Sequence, residues 1–74
     1  MEKFERETGI VVTYKSDGGY GFIERTAHDD VFFHRSQIRS PALLESIDLK
    51  GIKVSYILGQ DDQGRSCAFD VRNA

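Results

Sequence analysis

At 74 residues the chain has room for one domain, and a chain this short buries only about three fifths of the surface its unfolded form exposes. A hydrophobic fraction of 39% and a charged fraction of 30% lie away from the compositions that stay disordered, so a folded domain is expected. The formal charge of −2 speaks against phosphate neutralisation as the main activity, the lone Cys67 excludes an internal disulfide, and no apolar run approaches the roughly 18 residues of a membrane span.

Residues 1–7 alternate acidic and basic side chains with no apolar stretch behind them, and read as a charged leader before a domain over residues 8–74. Residues 8–14, Thr-Gly-Ile-Val-Val-Thr-Tyr, are rich in β-branched side chains and predict a first strand. Ser16-Asp17-Gly18-Gly19 is a turn signal, so a hairpin should follow, with its second strand at residues 20–25. The third strand is predicted at residues 30–34, after a connection, 26–29, of hairpin length.

The pattern changes over residues 36–50, where Ser40 can cap, Pro41 suits the first helical position and Ala42-Leu43-Leu44-Glu45 favour one helical turn. Two more strands, at residues 52–58 and 66–71, flank a polar loop, 59–64, with glycine at both ends. The expected fold is all-β: a five-stranded antiparallel barrel, closed to hide its edges, with a short helical turn between strands three and four.

Side chains on a strand alternate faces, so Gly21 and Ile23 share one side of the second strand while Tyr20, Phe22 and Glu24 share the other. The third strand divides as Val31 and Phe33 against Phe32 and His34. A core holding Tyr20, Phe22 and Phe32 would also take in Glu24 and His34, which is costly. With Ile23, Val31 and Phe33 inside, Gly21 lets the wall bend and Tyr20, Phe22, Phe32 and His34 stand together outside.

An exposed aromatic cluster of this kind suits the flat faces of bases, with Lys15, Arg25 and Arg35 near enough to meet phosphates and Tyr14 extending the platform. Alternation alone leaves the other assignment open, with the rings in the core, because Phe is among the most buried residue types. The three cations are open to a second reading too, as solvated surface charges.

Gly19-Tyr20-Gly21-Phe22-Ile23 followed by Val31-Phe32-Phe33-His34 resembles the two ribonucleoprotein motifs of the cold-shock domain, Lys-Gly-Phe-Gly-Phe-Ile and Val-Phe-Val-His-Phe. Thr8-Gly9-Ile10-Val11 opens like that family's first strand, and Asp29-Asp30 precedes the second motif as it often does there. The resemblance runs over residues 8–72 and implies an OB-type barrel. It also implies that Tyr20, Phe22, Phe32 and His34 stack on successive bases of single-stranded DNA or RNA, with Tyr14 in a further aromatic place. No catalysis is implied.

Three departures bear on strength. Where the family has Lys-Trp-Phe, this chain has Val12-Thr13-Tyr14; the lysine of the first motif is Gly18; and the aromatic after His34 is Arg35. Two lost stacking places at about 1–3 kcal/mol each would weaken binding by one to several orders of magnitude, unless Arg35 offsets part of it by stacking its guanidinium plane. Leu43 or Leu44 stands where the family often has another aromatic.

His28, Asp29, Asp30 and His34 do not make a transition-metal site, which normally needs three or four convergent ligands; no metal and no cofactor are expected. Gly18 to Gly21 lead into a strand rather than a helix N-terminus, so they are not a phosphate-cradling loop. No nucleophile elbow occurs, Asp61-Asp62 reads as a solvated loop tip, and Cys67 reads as a small buried hydrophobe. The chain is expected to be a cytoplasmic, monomeric, non-enzymatic binder of single-stranded nucleic acid, with RNA-chaperone or regulatory use. The alternative is a diverged barrel whose aromatic face docks a protein or its own second copy.

Overall fold

The β-branched opening segment forms β1, Arg6–Lys15, in the computed structural model, which describes residues 6–25, 29–45 and 48–74. β2 is Tyr20–Glu24, β3 Val31–His34, β4 Lys53–Gln60 and β5 Ser66–Asn73. A 3₁₀ turn, Arg35–Gln37, and the single turn α1, Pro41–Leu44, lie between β3 and β4. The strand begins at Arg6, inside the stretch assigned to the leader. Residues 1–5 of that leader, residues 26–28 of the second connection, and Ser46 and Ile47 lie outside the described residues.

The sheet closes in the order β1-β2-β3-β5-β4. Four of the five seams are antiparallel; the fifth, between β3 and β5, is parallel and rests on one register pair, Phe32 opposite Cys67. The expected closed five-stranded barrel is there, antiparallel at every seam but this one, and the reason for the exception is one of parity: an odd number of strands cannot close a ring with every neighbour reversed. A parallel bridge between Ile38 and Val71 and a bond from Arg39 N–H to the Val71 carbonyl (2.8 Å) continue the lacing beyond the strand.

Ile23, Val31, Phe33, Val54 and Tyr56 are fully buried and form the centre of the core. Leu43 drops from α1 into it, while Leu44 is exposed, so Leu43 plugs the barrel end. Pro41 takes the first helical position as expected, but Ser40 gives α1 no side-chain cap; its hydroxyl accepts instead from Asn73 N–H (3.0 Å) and ties the last strand to the turn. Tyr56 reaches Glu7 Oε1 (3.4 Å), and Glu7 pairs with Arg25 (3.5 Å). Burial, then the neighbouring Glu7 charge, pushes the Tyr56 hydroxyl up to about 12.

Val12 is a bulge: Val11 pairs with Ile23 and Thr13 with Phe22, so one residue of β1 has no partner on β2. Every side chain after it is moved to the opposite face from the one simple alternation gives. Thr13 and Lys15 therefore point outward beside Phe22 and Tyr20, and Tyr14 turns inward.

Candidate nucleic-acid interface

The outer face of β2 and β3 is set by strand register. Tyr20 stands opposite His34 and Phe22 opposite Phe32, which brings three rings into mutual contact. Tyr20 and Phe32 stack at 6.0 Å and 26°, Phe22 and Phe32 meet edge to face at 5.8 Å and 70°, and Tyr20 and Phe22 meet at 6.4 Å and 90°. The three are half-buried and His34 is exposed, whereas Ile23, Val31 and Phe33 behind them are sealed off. The side with Glu24 and His34 faces outward, as the cost of burying them requires.

Gly21 makes this arrangement possible. A Cβ there would collide with the Thr13 carbonyl oxygen and would come within 2.8 Å of the Phe33 ring. Without a side chain, β2 closes onto β1 and Phe33 fills the space beneath the outer rings.

His34 is held by its neighbours: its Nδ1 accepts from Ser36 N–H (3.1 Å) and lies 2.9 Å from Ser36 Oγ. An accepting Nδ1 places the neutral ring's proton on Nε2. Arg35 N–H donates to the Gly19 carbonyl (2.7 Å), which anchors Arg35 at the β1–β2 turn. Lys15 sits opposite Tyr20 at the same end. Among the described residues neither Lys15 nor Arg35 forms an ion pair, so both remain available to an anion.

Lys15, Tyr20, Phe22, Phe32, His34 and Arg35 are thus brought together, and Tyr14 is not. Its ring stacks on Phe33 at 6.0 Å and 6°, on the interior side, because of the bulge at Val12. Tyr14 thus stands apart from the ring cluster, half-buried beneath it, and lines a separate groove with Thr13 and Lys15. Arg25 is also withdrawn, since its side chain pairs with Glu7 and donates to the Asp29 carbonyl (3.0 Å), leaving it 11% exposed.

The face is electrically graded along the strands. Lys15 and Arg35 lie at the turn end, and Asp29 and Asp30 at the other, where a groove of about 380 Å³ is lined by Phe22, Asp30, Phe32 and Arg65. Asp61 is held below the usual carboxylate range by the Arg65 N–H bond and by the Arg65 side chain (2.8 Å). Cys67 is buried, its thiol pushed up by desolvation, as suits a packing residue rather than a nucleophile. His28 lies outside the described residues; among those described, no cluster of three metal-binding side chains exists, and no helix is long and apolar enough to cross a membrane.

One residue of this surface was missed from sequence, Phe69. With Ala68 in the core, Phe69 faces outward on β5 and lines a second groove, of about 290 Å³, with Phe32 and His34. The signal was present in the alternation of β5, where a small Ala between Cys67 and Phe69 marks the inner position.

Residues 7–74 match the model of the 'Cold-shock' DNA-binding domain. Cold shock protein CspC of Bacillus subtilis (strain 168) is 42% identical to the chain over 62 residues, which cover 84% of this chain and 91% of that protein. Among solved structures, drosophila Unr CSD456 has the same fold, with a TM-score of 0.76 at 22% identity over 96% of this chain and 27% of that one.

Proposed function

Because the chain belongs to the cold-shock domain family, whose domains are non-enzymatic and bind nucleic acid, we propose that it binds single-stranded DNA or RNA by stacking bases on Tyr20, Phe22 and Phe32. His34 lies at the edge of that stack, and Lys15 and Arg35 meet the phosphates. The use we assign to this binding is that of an RNA chaperone or a regulator of transcription or translation.

The observation that carries the reading is the ring cluster itself. Three aromatic side chains in mutual contact are half-exposed on one outer face, while the core directly behind them is already filled by Phe33 and Tyr14. Packing alone does not require them there. Base stacking is worth about 1–3 kcal/mol per base and tolerates any sequence, because every base has a flat face. A chain of net charge −2, whose Lys15 and Arg35 beside the rings form no ion pair among the described residues, draws its affinity from stacking rather than from charge.

Titration of labelled oligo-dT and oligo-dA at two salt concentrations tests this. With Lys15 and Arg35 as the phosphate contacts, log K should fall with log salt at a slope of about −1.4, from roughly 0.7 per contact on a single strand. Phe22→Ala and Phe32→Ala should each weaken binding. Unchanged affinity in both would end the stacking reading.

A further inference from the structure

Phe69 does not belong to the hairpin that carries the platform, yet it faces the same solvent. Cys67 lies opposite Phe32 across the parallel seam, and Phe69 follows two residues later on the same side of β5. Its ring lies against the backbone of β4: a Cβ at Gly59 would stand 2.5 Å from Phe69 Cε2 and 2.8 Å from Cδ2. Glycine at that position lets the ring settle on the neighbouring strand instead of projecting into water.

Between Phe69 on β5 and Phe32 and His34 on β3 runs the groove of about 290 Å³, with Cys67, Gln37 and Gln60 in its lining. A single register pair joins the two strands, so the side-chain rows on either side stand apart and leave this space open. Asp61 and Asp62 also line it, which disfavours a phosphate and leaves a neutral flat group as the matching occupant. Gln37 Oε1 faces Asp70 N–H at 3.4 Å, which leaves its amide nitrogen to donate elsewhere.

We propose that this groove is an added base-binding slot, in which one nucleobase of the strand held on Phe22 and Phe32 turns in against Phe69 and meets the amides of Gln37 and Gln60 with its polar edge. The slot rests on the stacking reading above and carries it across the seam onto β5. Phe32 is a wall of both, so the strand passes from one to the other without a gap. A side-chain amide offers both a donor and an acceptor, so the slot admits any base. It lengthens the site by one nucleotide and offsets part of what is lost at Thr13.

The test is a length series from dT3 to dT8 against the wild type, Phe69→Ala, Phe69→Leu and Phe22→Ala, with Phe69 ring-proton shifts followed in the wild type. One step of length should raise wild-type affinity about five- to hundredfold. Both Phe69 variants should lose that step and bind the shorter oligonucleotides normally, whereas Phe22→Ala should weaken every length. The Phe69 ring protons should shift with dT8 and stay put with an oligonucleotide too short to show the step, a readout that does not depend on any variant folding. Phe69 variants that follow the wild type at every length, or ring protons unmoved in the saturated complex, would overturn the slot and leave the platform standing. Ring shifts driven by protein concentration without oligonucleotide would identify a second copy as the occupant and overturn it too. Failure of the wild type to bind any length would remove the stacking reading, and the slot with it.

Discussion

Phe22 and Phe32 are register partners on adjacent strands, and their rings meet edge to face with centroids 5.8 Å apart. Phe32 also stacks on Tyr20 and lines both grooves, so it is the one ring common to every part of the surface. Removing it takes away a base contact and a wall of both grooves, and leaves Tyr20 and Phe22 with only each other. Removing Phe22 leaves the Tyr20–Phe32 stack and the groove beside Phe69 in place.

Phe32→Ala should therefore weaken oligo-dT binding more than Phe22→Ala, both losses lying within about 1–3 kcal/mol per stacked base. Calorimetric titration checks the order, with thermal melting to show that both variants remain folded. Equal losses would mean that Phe32 has no such central place.

Thr13 points outward beside Phe22 because of the bulge at Val12. Thr13→Trp puts a large ring at that position without entering the core, and should strengthen binding by about 1–3 kcal/mol. A Val12→Trp control, on the unpaired residue, should give less. Equal gains from the two would show that the bulge does not direct the side chain as described.

Lys15 and Arg35 are free of ion pairs among the described residues, and Arg25 is engaged with Glu7. Lys15→Gln and Arg35→Gln should each reduce the salt slope of binding by about 0.7, and Arg25→Gln should leave it unchanged. The slopes, rather than single affinities, separate the three.

Asp70 sits at φ 52° in β5 and binds Arg6 at 2.9 Å and Arg72 at 3.1 Å. Desolvation raises its carboxyl, but the hydrogen bonds of Arg72 and Arg6 outweigh it and hold the group below the ordinary range. A carboxyl lowered by folding stabilises fully above its unfolded value of about 3.9, and that contribution fades as the pH falls through the lower folded value. Asp70→Asn should remove this share of the acid limb from the stability profile and leave the share due to Asp61. Asp70→Ala should be less stable than Asp70→Asn, since Asn tolerates the left-handed backbone and Ala does not. Denaturant melts through the acid range would give the same profile for the wild type and Asp70→Asn if the Asp70 clasp contributed nothing.

At the other extreme of pH, Tyr56 keeps its proton in the fold up to about 12, two units above its ordinary 10. A group raised by folding stabilises fully below the unfolded value and loses that contribution as the pH climbs to the folded one. Stability should fall between pH 10 and 12 on this account, and Tyr56→Phe should flatten that part of the curve.

The exposed rings were legible because the choice of face follows from Glu24 and His34, which no small core accepts unpaired. The glycine at 21 pointed the same way. The turn of Tyr14 away from the other rings was not legible, because the bulge adds one residue to the count without any mark in Val11-Val12-Thr13, three residue types that all suit strands. Phe69 escaped notice for a different reason: its partner in packing is Gly59, a residue without a side chain, on another strand. That some seam is parallel could be had from counting strands, since five close only with at least one pair running the same way. The identity of the facing residues, Phe32 and Cys67, depends on how the loops let those strands meet.

That seam joins positions 35 apart in sequence through one register pair, whereas β4 and β5 are laced along most of their length. It has the fewest register pairs of the five seams, so the ring of strands should part there first in the native state. The amide protons flanking Phe32 and Cys67 would then exchange with solvent ahead of those in the β4–β5 hairpin. The same line along which the wall parts most readily borders Phe32, so a bound strand lying across it would act as a clasp and slow that breathing.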